Sequence, residues 1–330
     1  MSHRTILATV PIDHLARTCA ILERVGEVIY TDHPQRDELL PLLHRVDAIF
    51  PNTKMMLDRD IIDAAPRLKL ICTPSTGTDH IDKVYCEQKG ITVLSLTHDY
   101  SLLETITSTA EHAFGLMLCV VRNMPWSFDS VRTGEWDYTK FRGRELQGRV
   151  LGIVGFGRLG RMMSRFADAF DMQVLAYDPH VTVTDAWVEQ VERDALLDRS
   201  EILSLHLHLT PDTHRMIDRT WFDRMHGTYL VNTSRGCVIA EEDLLHALQS
   251  GRIRAAGLDV LCGEIEGDMG RHPLIQYART HSNLMITPHC GGMSYDGQEK
   301  AFTFAAAKLA RFFGVEADVA GQTDGLDSRA

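Results

Sequence analysis

Short apolar, β-rich runs recur through the first hundred residues as TILATV, GEVIYT, DAIFPN, LKLICTPS and ITVLSL, separated by stretches of helical spacing such as DHLARTCAILERV and RDELLPLLHRV. Strands and helices alternating in this way predict a parallel sheet covered on both faces. Residues 102–122, LLETITSTAEHAFGLMLCVVR, contain no proline and a single glycine, Gly115, and predict one long helix. After the polar, aromatic stretch MPWSFDSVRTGEWDYTKFRGREL a second alternating series starts near Gly148: RVLGIVGF, MQVLAYDP, EILSLHLHL, TYLVNTS, AAGLDV and NLMITPH. A second α/β domain is expected there. The chain closes on EKAFTFAAAKLARFFG and a polar tail, GQTDGLDSRA. One helix is too short to make a domain, so it must pack on something already built.

A length of 330 residues suits about two domains. With 45 acidic against 34 basic side chains the formal charge is −11, which argues against a general nucleic-acid or membrane-surface binder. No uncharged apolar stretch reaches the roughly 18 residues a bilayer span needs, and the first residues do not read as a secretory leader. The seven cysteines are scattered and never spaced as CxxC, so neither a disulfide framework nor a zinc ribbon is expected; the composition suits a reduced, cytoplasmic protein.

The run VLGIVGFGRLG leads from an apolar strand into Gly155-x-Gly157-x-x-Gly160 and on into a helical pattern. This order is what a dinucleotide requires. One glycine makes the tight turn, one lets the pyrophosphate approach the backbone, one lets helix pack on strand, and the helix N-terminus faces the phosphates. Asp178 lies 18 residues beyond Gly160, at the end of the next strand. Its carboxylate can accept both ribose hydroxyls and repels a 2′-phosphate, so NAD is favoured over NADP.

Three later strands end in polar groups: VNTSRG with Arg235, GLDVLCGE with Asp259 and Glu264, and TPHCGG with His289. Ligands collect at the carboxyl ends of strands in an open parallel sheet. Reducing a 2-oxo acid by hydride requires a proton donor for the carbonyl oxygen and a cation for the carboxylate, roles that suit His289 and Arg235. A carboxylate beside the imidazole fixes its tautomer and favours its charged form. Glu264 is chosen by its spacing from Asp259, with Glu266 and Asp268 as competing carboxylates. His206 and His208 alternate along a strand, but no third ligand has recognisable spacing and no metal is expected. Cys237 and Cys290 are read as packing residues beside the proposed site, a position that makes them sensitive to oxidants.

In order, STGTDHID, TAEH, RGRELQGRVLGIVGFGRLG, NTSRG, GLDVLCGE and TPHCGG resemble the motifs of the D-isomer-specific 2-hydroxyacid dehydrogenase family, from about Ile71 to Gly292. The resemblance implies that Arg235 holds the substrate carboxylate, His289 is the acid/base and Glu264 pairs with it. Ser75, Thr76 and Gly77 then belong to the loop that meets substrate. Arg158 and Leu159 lie on the pyrophosphate turn, Thr109 touches the cofactor, and the stretch carrying Leu207, His208, Leu209, Thr210 and Thr213 flanks the adenosine. Thr233, Ser234 and Asp259 fall near the nicotinamide, with Gly291 and Gly292 following the histidine. The formate dehydrogenase branch carries an amide at the position of Glu264, so the departure here points to an oxo acid.

The resemblance also implies two Rossmann-like domains with a cleft between them. Residues 1–101, completed by 293–330, would be the flavodoxin-like substrate-binding domain, and residues 102–292 the NAD-binding Rossmann domain, hinged near Ser101 and Met293. The expected protein is a homodimer, the helix TSTAEHAFGLMLCVV being a candidate interface element, and its expected partner is a small 2-oxo or 2-hydroxy acid. Two alternatives stay open on the same scaffold: an NAD(H)-sensing, corepressor-like binding protein and a phosphite-type dehydrogenase. Lys54, Arg142 and Arg144 are candidate contacts for a second anionic group on the substrate, with solvated surface charge as the plainer reading.

Overall fold

The computed structural model describes residues 4–32, 34–265 and 268–317. The chain divides into two compact units, 1–106 with 294–330, and 107–293, so it passes between them twice. The first crossing falls between Ile106 and Thr107, later than the expected one near Ser101. The expected long helix over 102–122 is broken there into Tyr100–Leu103 and Ser108–Val121. Thr105 Oγ1 donates to Leu102 O at 2.8 Å and so ends the first piece with a side-chain bond. β-Branched residues at 105–107 lack the helix preference that would carry the chain through.

In the first unit, β1 (Thr5–Ala8), β2 (Glu27–Tyr30), β3 (Ala48–Phe50), β4 (Leu70–Cys72) and β5 (Thr92–Leu94) form a parallel sheet of order β2-β1-β3-β4-β5. Each comes from one of the apolar runs. Alternate residues serve opposite faces. Leu7, Ile49 and Ile71 pack with Leu39, Leu43 and Ile61 on one side. Ile6, Phe50 and Leu70 pack on the other with Leu22 of α1 (Ala16–Val25) and with the C-terminal helix Tyr295–Phe312. That helix supplies Ala301, Ala305, Ala306, Leu309 and Ala310, and its small side chains let it lie close to the sheet. Lys308 Nζ fixes it further, donating to Asp99 at 2.6 Å and to Ser95 O at 2.7 Å.

The second unit holds seven parallel strands: β6 (Val150–Val154), β7 (Gln173–Tyr177), β8 (Val188–Gln190), β9 (Ile202–Leu205), β10 (Thr228–Asn232), β11 (Ile253–Leu258) and β12 (Leu284–Ile286). Their order is β12-β11-β10-β9-β6-β7-β8, the Rossmann arrangement with its reversal point between β6 and β9. Only β8 has no counterpart among the expected strands. It is a three-residue edge strand, largely exposed, with no apolar run to announce it.

Helix α2 (Ser108–Val121) buries Ala113, Leu116, Met117 and Val120 against Leu151, Ile153, Val231 and Ala255. A Cβ on Gly257 would lie 3.2 Å from Leu116 Cβ, which shows how closely α2 lies on β11. One face of the helix offered as an interface element is therefore core of its own unit. Among the described residues no helix is long and apolar enough to cross a membrane. The expectation that the cysteines stay unpaired is corrected: Cys237 and Cys262 form a disulfide. Their loops leave adjacent strands, so residues 25 apart in sequence become neighbours, which spacing alone cannot show.

Candidate active site

β6 ends at Val154, and the chain turns at Gly155, whose φ is +86°. A side chain there would meet His206 O at 2.4 Å. α3 (Arg158–Asp168) follows with Gly157 at its cap position and no side-chain cap. The first N–H groups of α3 therefore lack the capping bond that a Ser or Asp would supply, and the space beside Gly157 is open to 4 Å. At Gly160 a Cβ would lie 2.3 Å from Gly155 O, so helix and turn are in contact. The three glycines occupy the three situations a pyrophosphate elbow requires. Asp178 follows β7 and accepts N–H groups from Phe156 and His180, both at 2.8 Å, which aims its carboxylate beside the turn.

Beyond β9, the turn carrying the expected adenosine-flanking residues is closed by Thr213, whose Oγ1 accepts from Thr210 N–H at 2.8 Å and donates to His208 O at 2.6 Å. Leu207 and Leu209 pack against the core, while His208 is exposed. His206 contacts Ser204 Oγ through Nε2 at 2.9 Å, and burial pushes its pKa down to about 4. It is a neutral ring set against the strand end.

The strands β10, β11 and β12 are neighbours, with Asn232 registered on Leu258 and Leu258 on Ile286. Thr233, Asp259 and Thr287 are therefore the next residues on three adjacent strands. Thr233 Oγ1 is buried and has no hydrogen-bond partner among the described residues. Asp259 is 1% exposed, and both its oxygens are occupied. Oδ1 accepts from Thr287 Oγ1 at 2.5 Å and Cys290 N–H at 2.9 Å, and Oδ2 accepts from Gly291 N–H at 2.8 Å. Burial works to raise its pKa, but these bonds and His112, 3.2 Å away, outweigh it and hold the carboxyl below its ordinary range. A Cβ on Gly291 would lie 2.9 Å from Asp259 Oδ2 and 3.4 Å from Thr109 Cγ2. Thr109, Asp259 and Gly291 thus meet at one point, while Gly292 is exposed.

His289 follows with φ +53°, a left-handed conformation unusual for a side chain of its size. Its N–H donates to Asp259 O at 2.7 Å. Its Nδ1 lies 2.5 Å from Glu264 Oε1, and Nε2 has no partner among the described residues. Of the competing carboxylates, Asp268 caps a short turn by accepting from Gly270 N–H, and Glu266 lies outside the described residues. Arg235 is half-buried and extended after β10, its Nη1 donating to Ser234 O at 2.8 Å. The fully buried Asn232 braces this loop, accepting from Ser234 N–H and Oγ and donating to Arg235 O.

Three supporting residues escaped the sequence reading: Asn232, Thr287 and His112. Each had a signal. Asn232 opens NTSRG, Thr287 lies two residues before His289, and His112 is three residues after Thr109, on the same helix face. His112 Nε2, Asp259 and Cys290 Sγ lie within 4.8 Å of one another, a set able to hold a metal ion that the sequence reading did not anticipate.

In the first unit, Ser75 Oγ contacts Thr73 Oγ1 at 2.8 Å and donates to Gly77 O at 2.7 Å, while Thr97 Oγ1 donates to Thr76 O at 2.8 Å. This tethering of oxygens leaves the N–H groups of Thr76 and Gly77 without a partner among the described residues. Lys54, Arg142 and Arg144 are exposed.

A Rossmann sheet with an uncapped glycine elbow, an aspartate beside that turn and a carboxylate-paired histidine at its strand ends is the framework of a nicotinamide-dependent dehydrogenase. Residues 114–291 match the D-isomer specific 2-hydroxyacid dehydrogenase, NAD binding domain. Over 306 residues the chain is 34% identical to the hydroxypyruvate reductase of Thermotoga maritima, covering 92% of this chain and 97% of that one. It is 36% identical over 309 residues to the D-3-phosphoglycerate dehydrogenase of Methanocaldococcus jannaschii, of which it spans 56%. Its backbone resembles that of the D-lactate dehydrogenase of Aquifex aeolicus, solved with NAD and lactic acid, with a TM-score of 0.81, 29% identity and coverage of 94% and 96%. The chain belongs to the D-isomer specific 2-hydroxyacid dehydrogenase family, and its cofactor is NAD.

Proposed function

We propose that the protein interconverts a 2-oxo acid and a D-2-hydroxy acid, with His289 exchanging the proton, Glu264 orienting that imidazole and Arg235 holding the substrate carboxylate. The observation that carries this reading is the 2.5 Å contact between Glu264 Oε1 and His289 Nδ1. It commits one ring nitrogen and leaves Nε2 for substrate. Bound NAD(H) supplies or accepts the hydride. Gly155, Gly157 and Gly160, with the N–H groups of Arg158 and Leu159, receive its pyrophosphate, and Asp178 receives the ribose hydroxyls. The turn over 207–213 flanks the adenosine, and Thr109, Thr233, Ser234, Asp259, Gly291 and Gly292 border the nicotinamide.

During reduction, His289 gives its Nε2 proton to the carbonyl oxygen as negative charge develops there, while the Glu264 carboxylate on Nδ1 keeps the ring oriented. During oxidation, neutral His289 takes the hydroxyl proton. The Arg235 guanidinium suits a carboxylate. In the first unit by itself, the spare N–H groups of Thr76 and Gly77, with Ser75 bracing their loop, are donors of a kind that suits an anionic substrate group.

The same reading includes a cytoplasmic homodimer. In its support, Phe128, Trp136 and Tyr138 are 64%, 86% and 84% exposed on one segment, leaving aromatic rings in water on a single subunit.

The test is NADH oxidation against a panel of 2-oxo acids led by hydroxypyruvate, with D-lactate and D-3-phosphoglycerate as reverse substrates and phosphite as a control donor. Turnover of at least one acid is expected. His289→Ala should lower kcat by roughly 10²- to 10⁴-fold with NADH affinity retained. An inert protein that still binds NADH would replace this reading with the sensing one.

A further inference from the structure

We propose that Cys237 and Cys262 are a reversible redox modification site that ties the arginine loop to the glutamate loop and sets how firmly the acid/base pair is held. Cys237 stands two residues after Arg235, and Cys262 two residues before Glu264. Their disulfide, with Cα atoms 4.6 Å apart, makes a covalent path from Arg235 through the sulfurs to Glu264, whose carboxylate contacts His289. The two loops abut by packing as well. A Cβ on Gly236 would lie 2.0 Å from Leu261 C and 2.3 Å from Cys262 N, so the cysteines stay adjacent whether or not the sulfurs are bonded. Cys262 N–H is anchored independently on Glu241 Oε1 at 2.8 Å, and Arg235 O on Asn232 Nδ2 at 3.0 Å. One backbone arrangement therefore accepts both the dithiol and the disulfide.

Both cysteines are only half-buried, within reach of a small oxidant. Five others, Cys19, Cys72, Cys86, Cys119 and Cys290, are free, so the protein does not use disulfides as a general framework. A single pair beside reactive residues fits redox sensing instead. The chemistry balances with a hydroperoxide as oxidant. One thiol is oxidised to a sulfenic acid while the hydroperoxide is reduced to the alcohol, or to water in the case of hydrogen peroxide. The second thiolate then displaces water to form the S–S bond. A dithiol reductant reverses it by exchange, becoming a disulfide itself and returning both protons.

In the oxidised state the segment carrying Glu264 is held against the Arg235 loop. In the reduced state the covalent brace is gone, Cys262 is held by its backbone contacts alone, and Glu264 holds His289 less firmly. The consequence for catalysis rests on the roles given above to Arg235, Glu264 and His289; the disulfide itself does not.

The test uses the full chain, equilibrated with hydrogen peroxide or with dithiothreitol, alkylated and digested without reduction. Mass spectrometry should find a peptide pair joined through Cys237 and Cys262 only after oxidation. The reduced enzyme should show kcat/KM roughly three- to tenfold lower, a displaced pH profile and a Tm lower by roughly 5–10 °C. Cys237→Ser and Cys262→Ser should each behave as the reduced enzyme under both conditions. Alkylated thiols at both positions after oxidation would overturn the proposal, as would identical kinetics and pH profiles in the two states. So would an oxidant response that persists undiminished in both Cys237→Ser and Cys262→Ser, since that assigns it to another group. If no 2-oxo acid is turned over but the joined peptides appear, the redox site stands and the catalytic reading falls.

Discussion

Asp259 shows how a single residue is fixed by everything around it. Its oxygens receive Thr287 Oγ1 and the N–H groups of Cys290 and Gly291, and its own carbonyl receives the His289 N–H. It thereby sets the path of the loop that carries His289 in its left-handed conformation. In Asp259→Asn an amide NH₂ would face an N–H donor, costing about 1–3 kcal/mol by leaving a buried donor unmade. A lower Tm at neutral pH is the expected result. Because the folded pKa of Asp259 is held below its ordinary value of 3.8, its contribution is present above about pH 4 and is lost as pH falls through the lowered value. The difference in Tm between wild type and Asp259→Asn should therefore shrink below pH 4; a difference unchanged from pH 7 to pH 3 would contradict the assignment. The positions of Arg235, Glu264, His289 and Asp259 at or just beyond strand ends were legible because each follows an apolar run. The bracing by Asn232, Thr287 and His112 was not, since a hydrogen bond across strands leaves no mark on spacing.

At the scale of elements, the turn between β6 and α3 separates two uses of glycine that the motif alone presents as one. Gly160 and Gly155 answer to packing, with contacts of 2.3 and 2.4 Å awaiting any Cβ, whereas Gly157 faces open space. Gly160→Ala should cost about 1–3 kcal/mol by overpacking, read as a lower Tm. Gly157→Ala should leave Tm unchanged and raise the Kd for NADH about tenfold or more, a loss of about 1.4 kcal/mol in binding, because a methyl group would occupy the pyrophosphate's approach. An unchanged Kd for NADH in Gly157→Ala would show that the open space beside Gly157 is not the pyrophosphate's. Strand existence was legible wherever a short apolar, β-rich run stood between polar or turn residues. It failed at β8, whose pairing with β7 replaces the missing hydrophobic signal.

At the scale of the whole molecule, the first unit is assembled from both ends of the chain. The C-terminal helix Tyr295–Phe312 covers the face of β1, β3 and β4, and Lys308 binds Asp99 across the joint. A chain ended at Met293 should lose cooperative unfolding of the first unit, as apolar residues including Phe50 and Leu309's former neighbours meet water. The second unit, with its own core of α2 and seven strands, should retain NADH binding. Calorimetry together with NADH fluorescence on the truncated chain checks both halves; loss of NADH binding would show that the units do not fold separately.

The amino-acid order by itself determined the two sheets, the glycine elbow and the residue types that suit proton and hydride chemistry, because period, turn chemistry and chain-local spacing are written along one dimension. Only the tertiary structure decided that the helix after residue 103 breaks, that α2 is core, that Glu264 faces His289 Nδ1, and that Cys237 meets Cys262. Those outcomes depend on which strands become neighbours. Strand order brings groups from distant stretches within a few ångströms, and no local pattern encodes that distance.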